Sequence, residues 1–179
     1  MRTTHYSRTL YVAAMILGTA TTARAQYEHG YLNPFIQLEG PRFGATVLSH
    51  GITSRLKADH HIDVSPVITQ FGWQLERQFP TGHNDIAALT ELVVLVGGLE
   101  QNVVLPSASW VVGARTRSGF EFGVGPNITA VGTAIVYVAG VTHKVGTLNV
   151  PLNISIVPSE SGVRTSVLTG FNLSMLGGW

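Results

Sequence analysis

The sequence predicts an all-β fold, an antiparallel up-and-down β-barrel of about eight strands with one short helix near residues 52–60. Apolar and polar residues alternate with period two through much of the chain, turn residues break that alternation at intervals, and the N-terminus reads as an export signal. Successive side chains of a strand point to opposite faces, so such alternation gives a sheet with one apolar and one polar face. The pattern is cleanest near the C-terminus. Leu148, Val150, Leu152, Ile154 and Ile156 interleave with Asn149, Pro151, Asn153 and Ser155. After Ser159-Glu160-Ser161-Gly162, a second run sets Val163, Thr165, Val167, Thr169, Phe171, Leu173 and Met175 against Arg164, Ser166, Leu168, Gly170, Asn172 and Ser174.

Residues 1–25 read as a secretory signal. Arg2, His5 and Arg8 precede an apolar run from Leu10 to Ala20, and Ala23-Arg24-Ala25 is a small-x-small cleavage site before Gln26. The run is about half the length that a helix needs to cross a bilayer. Residues 26–179 are then one domain.

Along that domain, Asn33–Leu38 and Arg42–Ser49 read as two short strands separated by Gly40-Pro41. Gly51–His61 is the one plausible helix, with Thr53 or Ser54 as cap and Ile52 and Leu56 on one side. It is short and polar, more a lid or plug than a core element. Val67–Phe79 divides sharply, with Phe71, Trp73, Leu75 and Phe79 on one face and Gln70, Gln74, Glu76 and Gln78 on the other. Residues 81–85 form a loop, and Glu91–Glu100 is an apolar strand in which Gly97-Gly98 predicts a bulge or tight curvature.

Ser109–Arg117 and Phe120–Asn127 form a hairpin. A three-residue loop, Arg117-Ser118-Gly119, puts glycine where a left-handed conformation is needed and pairs Arg115 with Glu121. Trp110, Val112, Phe120, Phe122 and Val124 then share one face, and Ser109, Arg115, Glu121 and Asn127 the other. A two-residue loop would set Arg115 among the phenylalanines. Ile128–Val141 is apolar or small on both faces, and we read it as a strand buried on both sides. That favours a narrow, filled barrel over a pore.

Composition narrows the function classes. Three of the eleven Lys and Arg leave with the signal, so eight basic residues face all ten acids in the mature chain. They are scattered, which argues against nucleic acid. Charged residues are only 12% of the chain and hydrophobic ones 45%. Soluble domains carry about twice that charge, so much of the surface does not meet water. The chain has no cysteine, which excludes disulfides, thiol catalysis and zinc–thiolate sites.

Trp179 at the C-terminus, with Gly170 among Phe171, Leu173 and Met175, resembles the last strand of bacterial outer-membrane β-barrels, which typically ends in an aromatic residue. Here Gly177-Gly178 separates Trp179 from the alternating strand, and Met175 stands where an aromatic is usual. The resemblance is architectural and names no single family. It implies strands tilted across a bilayer, with lipid outside and a polar lumen.

The candidate lumen or ligand-binding residues are Gln70, Gln74, Glu76, Arg115, Glu121 and Asn127. Arg115 with Glu121 reads as a charged site for a polar group or as an interior ion pair; the glutamines read as a ligand path or as barrel filling. Asp59, His60, His61 and Asp63 lack chelating spacing, since adjacent helical residues point about 100° apart, and no metal or cofactor is expected. No G-x-S-x-G elbow is present. The expected role is that of a non-enzymatic outer-membrane envelope protein, structural or small-ligand-binding, with membrane lipid and a small apolar or polar ligand as partners. Two alternatives stay open: a soluble periplasmic or secreted barrel or sandwich holding an apolar or lipid ligand, and a lipid-modifying enzyme.

Overall fold

The computed structural model describes residues 36–80, 86–146 and 148–174. The signal segment, residues 33–35, the 81–85 loop, Met175 and Trp179 lie outside the described residues. The eight main strands are β1 (Ile36–Leu48), β2 (Val67–Pro80), β3 (Ile86–Gly97), β4 (Leu105–Thr116), β5 (Phe120–Thr129), β6 (Gly132–Val145), β7 (Leu148–Ser159) and β8 (Gly162–Gly170). Each pairs antiparallel with the next, and β1 pairs with both β2 and β8, so the sheet closes on itself. Closure removes the unpaired edges that an open sheet of this size would expose.

β1 runs unbroken through Gly40-Pro41, where two strands were expected. The interruption falls on its neighbour instead. The ladder to β1 lapses at Phe171–Asn172 and resumes as β9 (Leu173–Ser174) in the same register. Pro41 has no N–H to give that ladder, so the gap opposite it follows from chemistry. Asn172 turns to β7 and exchanges backbone hydrogen bonds with Asn149 at 2.7 and 3.2 Å. The extra short strand is therefore at the end of the barrel and not at its start.

Residues 128–141 are also not one strand. β5 ends at Thr129, Ala130-Val131 turn, and β6 starts at Gly132, with Thr129 opposite Gly132. Apolar turn residues hid this hairpin. β6 has an ordinary outer face, with Ile135 and Tyr137 exposed, and an unusually apolar inner face around Val136. Gly97 closes β3 instead of bulging it, and Gly98, at φ 81°, leads into a 3₁₀ turn, Leu99–Gln101. In that turn Glu100 accepts from the Thr69 hydroxyl and amide at 2.5 and 2.8 Å, which holds its carboxyl down to about 2.

The β4–β5 hairpin has the expected loop. Gly119 takes φ 90°, its amide donates to the Thr116 carbonyl at 2.9 Å, and Arg115 lies opposite Glu121. Faces follow from that register. Trp110 and Phe122 are 60% and 63% exposed, while Arg115 and Glu121 are buried.

The connections sort by end. At the end where β1 starts and β8 finishes, β4–β5 and β6–β7 are joined by tight turns. The opposite end carries α1 (His50–His60) and the 3₁₀ turn. Ser49 precedes α1, in place of the expected Thr53 or Ser54, and its hydroxyl accepts from Val163 N instead of capping the helix. An eleven-residue helix is marginal alone. Burying Ile52 and Leu56 against Leu48, Val64, Ile68 and Leu105 contributes about 1.5–3 kcal/mol for each side chain and docks it over the barrel mouth. The polar remainder of α1 faces out.

Candidate functional site in the barrel interior

Strand parity decides what the interior contains. In β2 the even positions Gln74 and Glu76 are buried while Phe71, Trp73 and Leu75 are exposed. In β4 and β5 the inward positions include Val111, Arg115, Glu121 and Asn127. All six candidate residues face inward: Gln74, Glu76, Arg115, Glu121 and Asn127 are buried, and Gln70 is half-buried. Seven further polar residues are buried among the described residues: Arg42, Thr46, Glu91, Asn153, Arg164, Ser166 and Asn172. Arg164 was legible from the β8 alternation, opposite in parity to Val163 and Val167. Arg42 and Glu91 were hidden by the misplaced strand ends at Gly40-Pro41 and Glu91.

These residues form two separate groups. Towards the end where β1 starts and β8 finishes, Arg115 is the hub. Its Nε donates to Glu121 at 2.7 Å and its Nη2 to Glu76 at 3.0 Å; Nη1 and Nη2 make further, shorter bonds to Glu76 and Glu121. Glu91 lies 3.9 Å from Nη2. Gln78 and Gln74 donate to Glu76 at 2.6 and 3.3 Å, and Thr142 to Glu121 at 3.3 Å. Arg42 joins through Gln74 at 2.9 Å and also donates to Asn172 at 2.6 Å and the Pro41 carbonyl at 2.9 Å. Such charge-assisted, multiply bonded pairs are the form in which buried ions are tolerated. With two arginines against three glutamates the group is acid-rich. The predicted Arg115–Glu121 pair is thus one edge of a larger network, which the hairpin register alone could not show.

The second group lies nearer the loop end. Asn127 Nδ2 donates to Ser109 and Ser107 at 2.8 and 3.0 Å, which turns its Oδ1 towards Arg164. Arg164 donates to that oxygen at 2.9 Å and to the Thr129 hydroxyl at 2.7 Å. On the adjacent strands β1, β2 and β8, the Thr46 hydroxyl meets Gln70 at 2.5 Å and Ser166 at 2.6 Å. Beside these groups Val111, Val136 and Val157 pack together. A cavity of about 90 Å³ runs between the apolar underside of α1 and the polar floor formed by Arg42, Gln74 and Glu91. The interior is therefore narrow and wet in part only, walled by valine where β6 passes.

No protein-family model matches the chain, nor does any curated protein. Solved structures do. Ail, the attachment invasion locus protein of Yersinia pestis, superposes with a TM-score of 0.54 at 11% identity, over 80% of this chain and 100% of that one. Ail in complex with the heparin analogue sucrose octasulfate gives 0.50 at 9% identity, over 79% and 97%. The fold is that of a small bacterial outer-membrane β-barrel. At that identity the likeness lies in the fold, and the interior of this barrel has to be read from its own residues.

The surface sites are simpler. Asp59 pairs with Arg55 at 3.2 Å and Asp63 with Lys57 at 2.7 Å, so both acids beside His60 and His61 are turned to cations. His50 Nε2 and Ser54 Oγ lie 3.4 Å apart on the exposed side of α1, one turn from each other.

Proposed function

We propose that this chain is an outer-membrane envelope protein, non-enzymatic, whose barrel serves a structural role or holds a small ligand in its interior. One observation carries the membrane reading: the outer face is apolar around the whole barrel. Phe43, Trp73, Val94, Trp110, Phe122, Tyr137, Ile154 and Val167, one from each main strand, are all about half exposed or more. Soluble monomers rarely expose contiguous apolar patches larger than a few hundred Å², and a continuous belt far exceeds that. In a bilayer the same belt is the stabilising surface. The tight turns at the end where β1 starts and the α1 lid at the other match the usual periplasmic and extracellular ends of such barrels.

The polar interior supports the non-enzymatic part. Its carboxylates gather round Arg115, and Arg42 is held by Gln74, Asn172 and the Pro41 carbonyl, rather than presented to a substrate. The test is fractionation of expressing cells. The protein should pellet with envelopes, need detergent for extraction, and migrate differently on gels before and after boiling. Its N-terminal residue should be Gln26, set by removal of residues 1–25. Recovery in the osmotic-shock supernatant without detergent would favour the soluble carrier, and an intact Met1 would rule out the proposed cleavage.

A further inference from the structure

Arg164 differs from Arg115 in having no carboxylate partner, and from Arg42, whose hydrogen bonds also go to neutral acceptors, in keeping an unpaired donor. It is 8% exposed, yet both its hydrogen bonds go to neutral acceptors, Asn127 Oδ1 and Thr129 Oγ1, and its Nε has no partner among the described residues. Glu76, Glu91 and Glu121 gather round Arg115 instead. Glu160, beside Arg164 at the loop end, is exposed and makes no ion pair with it. A buried cation without a counter-charge is costly, and a bound anion removes that cost.

Two openings meet at this side chain. On one side lies the cavity beneath α1, with the Val111, Val136 and Val157 wall. On the other lies a groove of about 370 Å³ between the β5–β6 and β7–β8 turns, lined also by Glu160 and by Arg55 of α1, which is paired with Asp59. Arg42 also lines the cavity, but its Nε, Nη1 and Nη2 are all engaged. Arg164 therefore lines both an outer groove and a partly apolar chamber.

We propose that Arg164 is the head-group site for a small anionic amphiphile, a short alkyl carboxylate that accepts from the guanidinium and whose chain lies against the valine wall. The groove between the loop-end turns is the way in. The chamber limits the chain to a few carbons. Neither part suffices alone: the guanidinium selects the charge and the valines select the chain.

The inference rests on the reading of the barrel as a small-ligand binder, and the test uses the folded chain in a nonionic maltoside detergent, apart from any membrane. Calorimetric titration with hexanoate should give saturable one-to-one binding. Acetate, which has the head without the chain, and hexanol, which has the chain without the charge, should each bind at least tenfold more weakly. Arg164→Gln should weaken hexanoate tenfold or more, and Arg164→Lys should retain part of the affinity. Val136→Phe should weaken hexanoate and leave acetate unchanged. Folding of each variant is checked by its heat-modifiable migration, so a loss of binding is not mistaken for a loss of structure. No saturable hexanoate binding, equal binding of acetate, or undiminished binding by Arg164→Gln would each overturn the proposal. A barrel that pellets with envelopes but ignores hexanoate loses this inference alone. One that binds hexanoate yet needs no detergent loses the membrane reading alone.

Discussion

The two halves of the interior treat charge in opposite ways. Towards the end where β1 starts, Arg115 is clamped between Glu76 and Glu121, with Glu91 nearby and Arg42 tied in through Gln74. Towards the loops, Arg164 has only an amide oxygen and a hydroxyl, beside a cavity and an apolar wall. Over the whole interior three arginines balance three glutamates, but they are not shared evenly. The dense half links β1, β2, β3, β4 and β5 across the lumen and acts as the barrel's internal brace. The sparse half gives up such bracing and keeps space and an unspent charge. A narrow barrel can thus be rigid at one end and receptive at the other without any change in its backbone plan.

The largest expected effect falls on the brace. Arg115→Met leaves up to three buried carboxylates without their cation and should cost about 3–5 kcal/mol, read as a lower urea midpoint for unfolding from lipid. Glu121→Gln should also destabilise, and the double variant should recover part of the combined loss. Additive effects would mean that the two side chains do not act on each other, and the register of this hairpin would have to be redrawn. A somewhat smaller effect belongs to the outer face, where Leu75→Arg should cost about 2–4 kcal/mol near the bilayer midplane. A Leu75→Arg barrel as stable in lipid as the wild type would remove the reason for placing that face in a bilayer. The smallest effect should come from the sparse half. Arg164→Gln gives up two hydrogen bonds but relieves an uncompensated buried charge, so its net change should stay within about 1 kcal/mol. If Arg164→Gln destabilises as much as Arg115→Met, the loop-end half is a second brace, and the contrast between the halves fails.

Much of this was legible in the sequence because a barrel strand is written in a two-letter code. Parity in 67–79, 109–127 and 148–174 sorts inside from outside directly, and Gly119 fixes one register. The errors arose where the punctuation misleads. Gly40-Pro41 looks like a break but sits within β1, because the missing proline N–H disturbs only the neighbouring strand. Ala130-Val131 looks like strand but is a turn, which fused the end of β5 with β6 and concealed the apolar wall around Val136. The site was half legible for a related reason. Inward parity identifies Glu76, Arg115, Glu121 and Asn127 as interior residues, but which of them meet depends on how the closed sheet brings β2 opposite β4 and β5. No local pattern encodes that, and so the split between the Arg115 network and the solitary Arg164 emerges only from the closed barrel.

The claim beneath all of this is that the apolar face meets lipid and the charged face does not. Trp73 and Trp110 report on it directly, since both lie mid-strand on the outer face, 48% and 60% exposed. With Trp179→Phe in place, they are the two tryptophans of a chain that has three. In vesicles containing brominated lipid their fluorescence should be strongly quenched, and the water-soluble quencher iodide should have little effect. Strong quenching by iodide with none from brominated lipid would put that face in water and contradict the account.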